Sequence, residues 1–416
     1  MEPIVLDTGG ADIQGESARI QQRGPVALVE LPGGVPAWSV TDQAVLRSLL
    51  ADPRVSKDPG QHWTSFINGE ITEAWPLLPW VAVDSMFTAY GADHRRLRRL
   101  VSPAFSHRRS TALRPRIAEI TENLLDALAA APVGEPVDLR AGFAYPVPIQ
   151  VITELVGVPD GLGPALHKCV DGFFDGSFTA EQAQANYLEM YGLVGELVAY
   201  RREHPGDDVT SALITTRDED DSQLSEKELV DTVMLVINAG HETTVNLLDQ
   251  AIVALLTHPE QRAAVAAGRV AWADVVEETL RFQAPIAHLP LRYAVEDIDI
   301  AGGYRIGKGE AILASYAGAS RDPKVHGADT AEFDPTRATR EQHLAFGYGA
   351  HHCIGASLAR LEAAVALPAL FDRFPRMSLA TNRTELSPVP SFISNGHVTV
   401  PVYLHADQRS GFAASG

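Results

Sequence analysis

Phe346-Gly347-Tyr348-Gly349-Ala350-His351-His352-Cys353-Ile354-Gly355 places one thiol among glycines, just ahead of a helical run from Ala356 to Leu367. Glycine lets backbone approach a flat group closely and adopt dihedrals that other residues avoid. A helix N-terminus offers free N–H groups and a positive dipole end, both of which stabilise a thiolate. The segment therefore suits a cysteine that binds a metal or cofactor through sulfur, although a structural thiol in a glycine-rich turn has the same composition. Zinc is disfavoured: His351 and His352 are neighbours whose side chains diverge, and no cysteine pair accompanies them. Cys169 is the one other cysteine. That count excludes a disulfide framework and suits free thiols in a reducing compartment.

A second group, Ala239-Gly240-His241-Glu242-Thr243-Thr244, interrupts an apolar helical run with an acid and two hydroxyls. Buried polar groups cost free energy unless satisfied, and Gly240 weakens a helix by roughly 1 kcal/mol relative to alanine. Glu242 and Thr243 together could pass protons to a reacting group; a helix kink with a back-bonded threonine accounts for the same residues. Glu278 and Arg281, three apart, share a helix face and can pair, as many surface pairs do. His94 and Arg98 lie four apart, and Arg292 closes Leu289-Pro290-Leu291-Arg292. The run His94-Arg95-Arg96-Leu97-Arg98-Arg99, with Arg108 and Arg109 nearby, is either a solvated helix face or a docking patch for an acidic protein.

In their order along the chain these segments resemble the cytochrome P450 family. The family's haem-binding loop reads Phe, Gly, x, Gly, x, His, x, Cys, x, Gly, and each fixed type is present. The resemblance implies one haem b, with Cys353 as the axial thiolate that favours O–O cleavage. Phe346, Gly347 and Gly355 would complete the loop, and His351, His94, Arg98 and Arg292 would reach the haem propionates. Glu278 and Arg281 resemble the family's Glu-x-x-Arg pair, a structural brace on the proximal side. Glu242 and Thr243 resemble its oxygen-activation motif, with Thr243 bonding the bound dioxygen and Glu242 relaying protons; many relatives carry Asp where this chain has Glu242.

The implied fold is mainly α with a small β lobe, the triangular-prism P450 fold, and the implied reaction inserts one atom of dioxygen into an apolar molecule by hydroxylation or epoxidation. No glycine-rich loop opens a helix after a strand in the Rossmann manner, so neither a flavin nor NAD(P) is expected on this chain. Electrons would come from a ferredoxin and its reductase. By analogy with family pocket regions, substrate contacts would fall on Val83, Met86, Phe173, Phe174, Val236, Ala239, Leu289 and Phe392, any of which also reads as ordinary core. Their apolar character suits a steroid, terpenoid or polyketide. Two alternatives stand beside this: a haem-thiolate enzyme that uses peroxide or performs coupling, and a haem-binding sensor without turnover.

The elements that must position these groups are mostly helical. The clearest helix starts at Ser225, where Ser225-Glu226-Lys227-Glu228 matches a capping box, and runs to about Thr257 before His258-Pro259. It is apolar on several sides, which places it in the core. Helical spacing also runs from about Asp93 to Ala131, through Leu155 and Leu193, and from Ala271 to Phe282. Val295 to Ile306 alternates around Gly302-Gly303 as a hairpin, with further strands expected at Ala311 to Ser315 and His397 to Tyr403. The mixed segment from Pro53 to Trp80 reads as an irregular lid or pocket wall.

At 416 residues with no linker composition, a single domain over 1–416 with flexible ends is expected. The net charge of −19 argues against nucleic acid as a partner. No signal peptide or membrane span is read, so a cytoplasmic location is the expectation.

Overall fold

The computed structural model describes residues 2–218 and 222–405. Its central element is the helix Glu226–Thr257, 32 residues long. The capping box closes as expected: Ser225 Oγ accepts the Glu228 N–H at 3.2 Å while Glu228 accepts the Ser225 N–H at 2.8 Å. Around this core helix pack Pro146–Val156, Gly163–Phe174, Ala180–Glu203, Trp272–Phe282 and Ala356–Arg373. Its two halves serve different cores. Val233 and Ile237 meet Ile152, Val194 and Leu197; Leu248, Ile252 and Leu255 meet Leu367, Leu370 and Phe374. Side chains of this size each contribute about 1.5–3 kcal/mol by leaving water, which holds the helix straight through the molecule.

The helical pattern from Asp93 to Ala131 resolves into Gly91–Val101, His107–Ala112 and Arg114–Ala129. Pro103 and Pro115 explain the breaks. Each lacks an N–H and so falls in a first turn, Pro103 in the short 3-10 turn Ser102–Phe105 and Pro115 in the third helix. The helix after Cys353 runs past Leu367 to Arg373.

The β region is larger than the second half of the chain suggests. A six-stranded sheet runs in the order Ile4–Val5, Val26–Leu31, Val35–Val40, Ala311–Ser315, His288–Ala294, Val55–Ser56. Its N-terminal hairpin turns at Gly33-Gly34, with φ of 79° and 76°. The hairpin at Gly302-Gly303 forms as expected but pairs only Ile298–Ile300 with Tyr304–Ile306. The strand expected from His397 shortens to Pro401–Tyr403, because the His397 N–H goes to Asp249 on the core helix at 2.8 Å. The segment from Pro53 to Trp80 is less open than a lid. It contains three single-turn helices, and Trp63, 2% exposed, stacks on Tyr293 of the sheet at 5.2 Å. Among the described residues no helix is long and apolar enough to cross a membrane.

Candidate active site

The cysteine loop is fixed from behind. The Cys353 N–H donates to the Phe346 carbonyl at 2.8 Å, and the Phe346 ring lies under the Arg360 guanidinium at 4.5 Å. Arg360 is in turn held by Glu277 at 2.6 Å, which also contacts His343 at 3.0 Å. Gly347 and Gly349 need their residue type: φ is 69° and 73°, and a Cβ on Gly349 would meet the Leu50 carbonyl at 2.5 Å. Gly355 does not share that reason. It is the helix N-cap with φ of −86°, and a Cβ there would rest 3.9 Å from the Cys353 sulfur.

Solvent reaches Cys353 from one side while protein crowds the other. Burial pushes the thiol up; the N–H groups of Gly355 and Ala356 and the Arg98 and Arg360 guanidinium groups pull it down without overcoming burial. The helix-end donors expected from sequence are thus in place, but they do not by themselves lower the thiol. Among the described residues no group of three His, Cys, Asp or Glu could hold a metal ion.

Beside this loop the structure gathers His94, Arg98, Arg292 and His351, and adds Lys57, which sequence reasoning missed. The His94 and His351 rings lie 4.1 Å apart, and Arg98 donates to the His352 carbonyl at 2.7 Å. His94 Nε2, Arg292 Nη1 and Lys57 Nζ are buried without a hydrogen-bond partner. Burial and the neighbouring Arg98, Arg95 and Lys57 charges lower His94 to about 4; burial and the same cluster hold His351 far below its ordinary value. Buried donors are ordinarily satisfied. A concentration of orphaned nitrogens that includes an arginine and a lysine is therefore a place for anions.

The opposite arrangement lies behind the loop. Arg281 donates twice to Glu278, both at 2.7 Å, and also to the Thr330 and Glu332 carbonyls. Glu278 further accepts the Asp334 N–H at 2.9 Å, and Arg337, also missed from sequence, approaches it at 3.6 Å. Both side chains of the pair are 0% exposed. The Glu278–Arg281 pair is a satisfied brace, while Arg337 Nε beside it is buried without a hydrogen-bond partner.

On the core helix, Thr243 donates its hydroxyl proton back to the Ala239 carbonyl at 2.7 Å, the local back-bond that its type allows. Gly240 answers a packing need, since a Cβ would meet Ile152 at 2.5 Å. His241 is wholly buried on Tyr145, ring centroids 4.4 Å apart, and burial lowers it to about 3. Glu242 points away from open space into a buried network: Arg140 donates to it at 2.9 Å and Ser394 at 2.8 Å. Arg140 also donates to Asp249 at 2.8 Å and Asn246 at 3.0 Å, and Asp249 contacts His397 at 2.6 Å. Burial raises Glu242 above its ordinary value, with Arg140 and Ser394 opposing.

Two cavities share an aromatic wall. The inner one, about 100 Å³, is lined by Val83, Phe87, Phe173, Phe174, Ala239, Thr243, Ile286 and Leu289 among others. The outer one, about 240 Å³, lies beyond Trp80, Phe173 and Phe174 and reaches Phe392. Trp80 packs on Phe173 at 4.7 Å and on Phe174 at 5.4 Å. Of the substrate positions expected from sequence, Met86 and Val236 are in the hydrophobic core, not on a cavity wall, and Phe392 touches only the outer cavity. Trp80, at the end of the segment expected to form a lid or pocket wall, lines the inner cavity, as do Phe87, Leu235 and Asn238, which had not been expected there.

The basic run is partly neutralised. Arg96 pairs with Glu228, Arg99 with Asp218 at 3.5 Å and Arg109 with Asp207 at 3.7 Å. Arg95 and Arg108 are exposed.

The family model "Cytochrome P450" matches residues 167–267 and 272–393. A 2-hydroxy-5-methyl-1-naphthoate 7-hydroxylase of Streptomyces carzinostaticus is 46% identical over 97% of this chain and 98% of its own length. The monooxygenase PikC of Streptomyces venezuelae is 39% identical over 98% and 96%. Among solved structures, CYP154A1 of Streptomyces coelicolor A3(2) superposes with a TM-score of 0.92 at 52% identity, covering 97% of this chain and all of that one. The folded chain, with its long core helix, cysteine loop and mixed sheet, therefore belongs to the cytochrome P450 family and is a P450 monooxygenase.

Proposed function

We propose that this chain holds one haem b with Cys353 as the axial ligand and hydroxylates a lipophilic polyketide-, terpenoid- or steroid-like molecule. Dioxygen is the co-substrate, and a ferredoxin with its reductase supplies electrons at the surface around Arg95 and Arg108. The chain works in the cytoplasm as one catalytic domain that carries neither flavin nor NAD(P). The residues fit the cofactor. His94 Nε2 and Arg292 Nη1 are buried donors awaiting acceptors, which the two propionates supply, and Gly347 and Gly349 keep side chains off the loop. When bound, the haem supplies the iron at which dioxygen is activated.

The protein's own work is to hold, dry and protonate. Phe346 and the N–H groups of Gly355 and Ala356 fix the sulfur. Thr243 keeps a hydroxyl at the inner cavity, able to give and accept a proton. Burial raises Glu242 above its ordinary value, and Arg140 and Ser394 orient it.

The observation that carries this reading is the opening of Ala239 and Thr243, midway along an otherwise buried helix, onto an apolar cavity. The named relatives support the substrate class. They include a 6-deoxyerythronolide B hydroxylase at 37% identity, a tirandamycin C-bound TamI and a testerone-bound CYP154C4. The test is the reduced, carbon-monoxide-bound spectrum followed by turnover with a ferredoxin, its reductase and a panel of polyketides, terpenoids and steroids. A red-shifted Soret band and a hydroxylated product are expected. A histidine-type spectrum overturns the ligand, and consumption of electrons without product across the panel overturns the substrate class.

A further inference from the structure

Lys57 follows the edge strand Val55–Ser56, which pairs antiparallel with His288–Ala294 through Val55 opposite Ala294 and Ser56 opposite Tyr293. Continuing that register sets Lys57 beside Arg292. The lysine is 3% exposed. Its ammonium stands over the Phe87 ring at 3.6 Å, and Nζ has no hydrogen-bond partner. The charged groups that act on it or feel it are Arg292, His94 and His351, none of them an acid. An aromatic face offsets only part of the cost of taking an ammonium from water. An unpaired lysine beside the Arg292 guanidinium, with no acid acting on it, is destabilising unless an anion joins it.

We propose that Lys57 is a carboxylate-binding residue of this site and that its partner is a haem propionate, shared with Arg292 and His94. This rests on the cofactor reading given above. Two sources could provide a carboxylate here: the haem, or an organic acid in the inner cavity, whose wall includes Phe87. The haem is favoured because the other orphaned groups of the cluster, His94 Nε2 and Arg292 Nη1, act electrostatically with Lys57 and belong to residues that do not line the inner cavity. A point-charge ammonium suits this task without bidentate geometry.

The test uses purified holoenzyme as wild type, Lys57→Met and Lys57→Arg. Haem transfer to excess apomyoglobin is followed, with circular dichroism and the reduced carbon-monoxide spectrum as controls. Lys57→Met is expected to release haem at least tenfold faster with fold and thiolate spectrum kept, and Lys57→Arg to stay within about threefold of wild type. The same proteins are titrated with 1-naphthoic acid and its methyl ester, read by the substrate-induced spectral shift. Loss of discrimination between acid and ester in Lys57→Met, with haem release unchanged, assigns the lysine to an organic acid and overturns the propionate partner. No change in either measurement overturns the carboxylate site altogether. If Lys57→Met does not accumulate, Lys57→Gln is read by the same criteria. A wild type lacking the thiolate spectrum overturns the cofactor reading instead, independently of Lys57.

Discussion

The cysteine loop stands between two buried charged clusters built on opposite plans. Behind it, Glu278 and Arg281 meet each other twice and spend their remaining capacity on the backbone of 330–334. Beside it, Lys57, His94 and Arg292 hold donors that meet nothing in the protein. Both clusters are buried, at 0% exposure for Glu278 and Arg281 and 3% to 5% for Lys57, Arg292 and His94, so burial alone does not separate structural from functional charge. Saturation does: a closed network braces the fold, and an open one waits for a ligand. The Arg140–Glu242–Asp249 cluster stands between these plans, closed in its bonds yet one residue from Thr243 at the inner cavity.

The comparison breaks most easily at Arg281. Arg281→Ala leaves Glu278 buried with only Arg337 at 3.6 Å to offset its charge, and should destabilise the fold by about 3–5 kcal/mol, read as a lower urea midpoint or as loss of soluble protein. Arg292→Met removes charge-assisted bonds to a ligand, so its cost of about 1.5–3 kcal/mol should appear in haem affinity, with helical content kept. Equal unfolding in both variants would erase the distinction.

Two smaller effects sharpen it. At Glu277, burial acts to raise the carboxyl, but the Arg360 and His343 hydrogen bonds prevail and hold it at about 2. A depressed carboxyl stabilises above its unfolded value near 4.5 and loses that contribution as pH falls towards 2. Glu277→Gln should therefore cost up to about 3 kcal/mol at neutral pH, and the difference from wild type should vanish in urea melts near pH 2. Arg140→Gln removes a group that lowers Glu242, so Glu242 should rise further. If the protonated acid is the working form, the alkaline limb of the kcat profile moves to higher pH, and Arg140→Lys restores it. An unmoved limb would make Arg140 purely architectural.

The groups legible in the sequence are those whose neighbours lie within a helical turn or a short loop. Ser225 and Glu228, Glu278 and Arg281, and the glycines around Cys353 carry their context with them. Lys57, Arg140 and Arg337 do not. A lysine before Asp58-Pro59 looks like any surface lysine until an edge strand folds it beneath Phe87. Arg140 finds Glu242 across 102 positions. The N-terminal hairpin did carry a signal, a valine-rich run ahead of Pro32-Gly33-Gly34, and a closer reading of that turn would have enlarged the expected sheet. The cavity wall misses for another reason: helical phase decides which neighbour faces the space, so Leu235 lines it while Val236 turns into the core.

The shared wall of Trp80, Phe173 and Phe174 has a consequence for selectivity. A guest that extended past the inner cavity would meet these rings, which line both cavities. Which carbon meets the reacting centre then depends on which end enters first and how far it travels. Regiochemistry becomes a matter of insertion depth, and trimming one ring would move the depth stop without touching the chemistry.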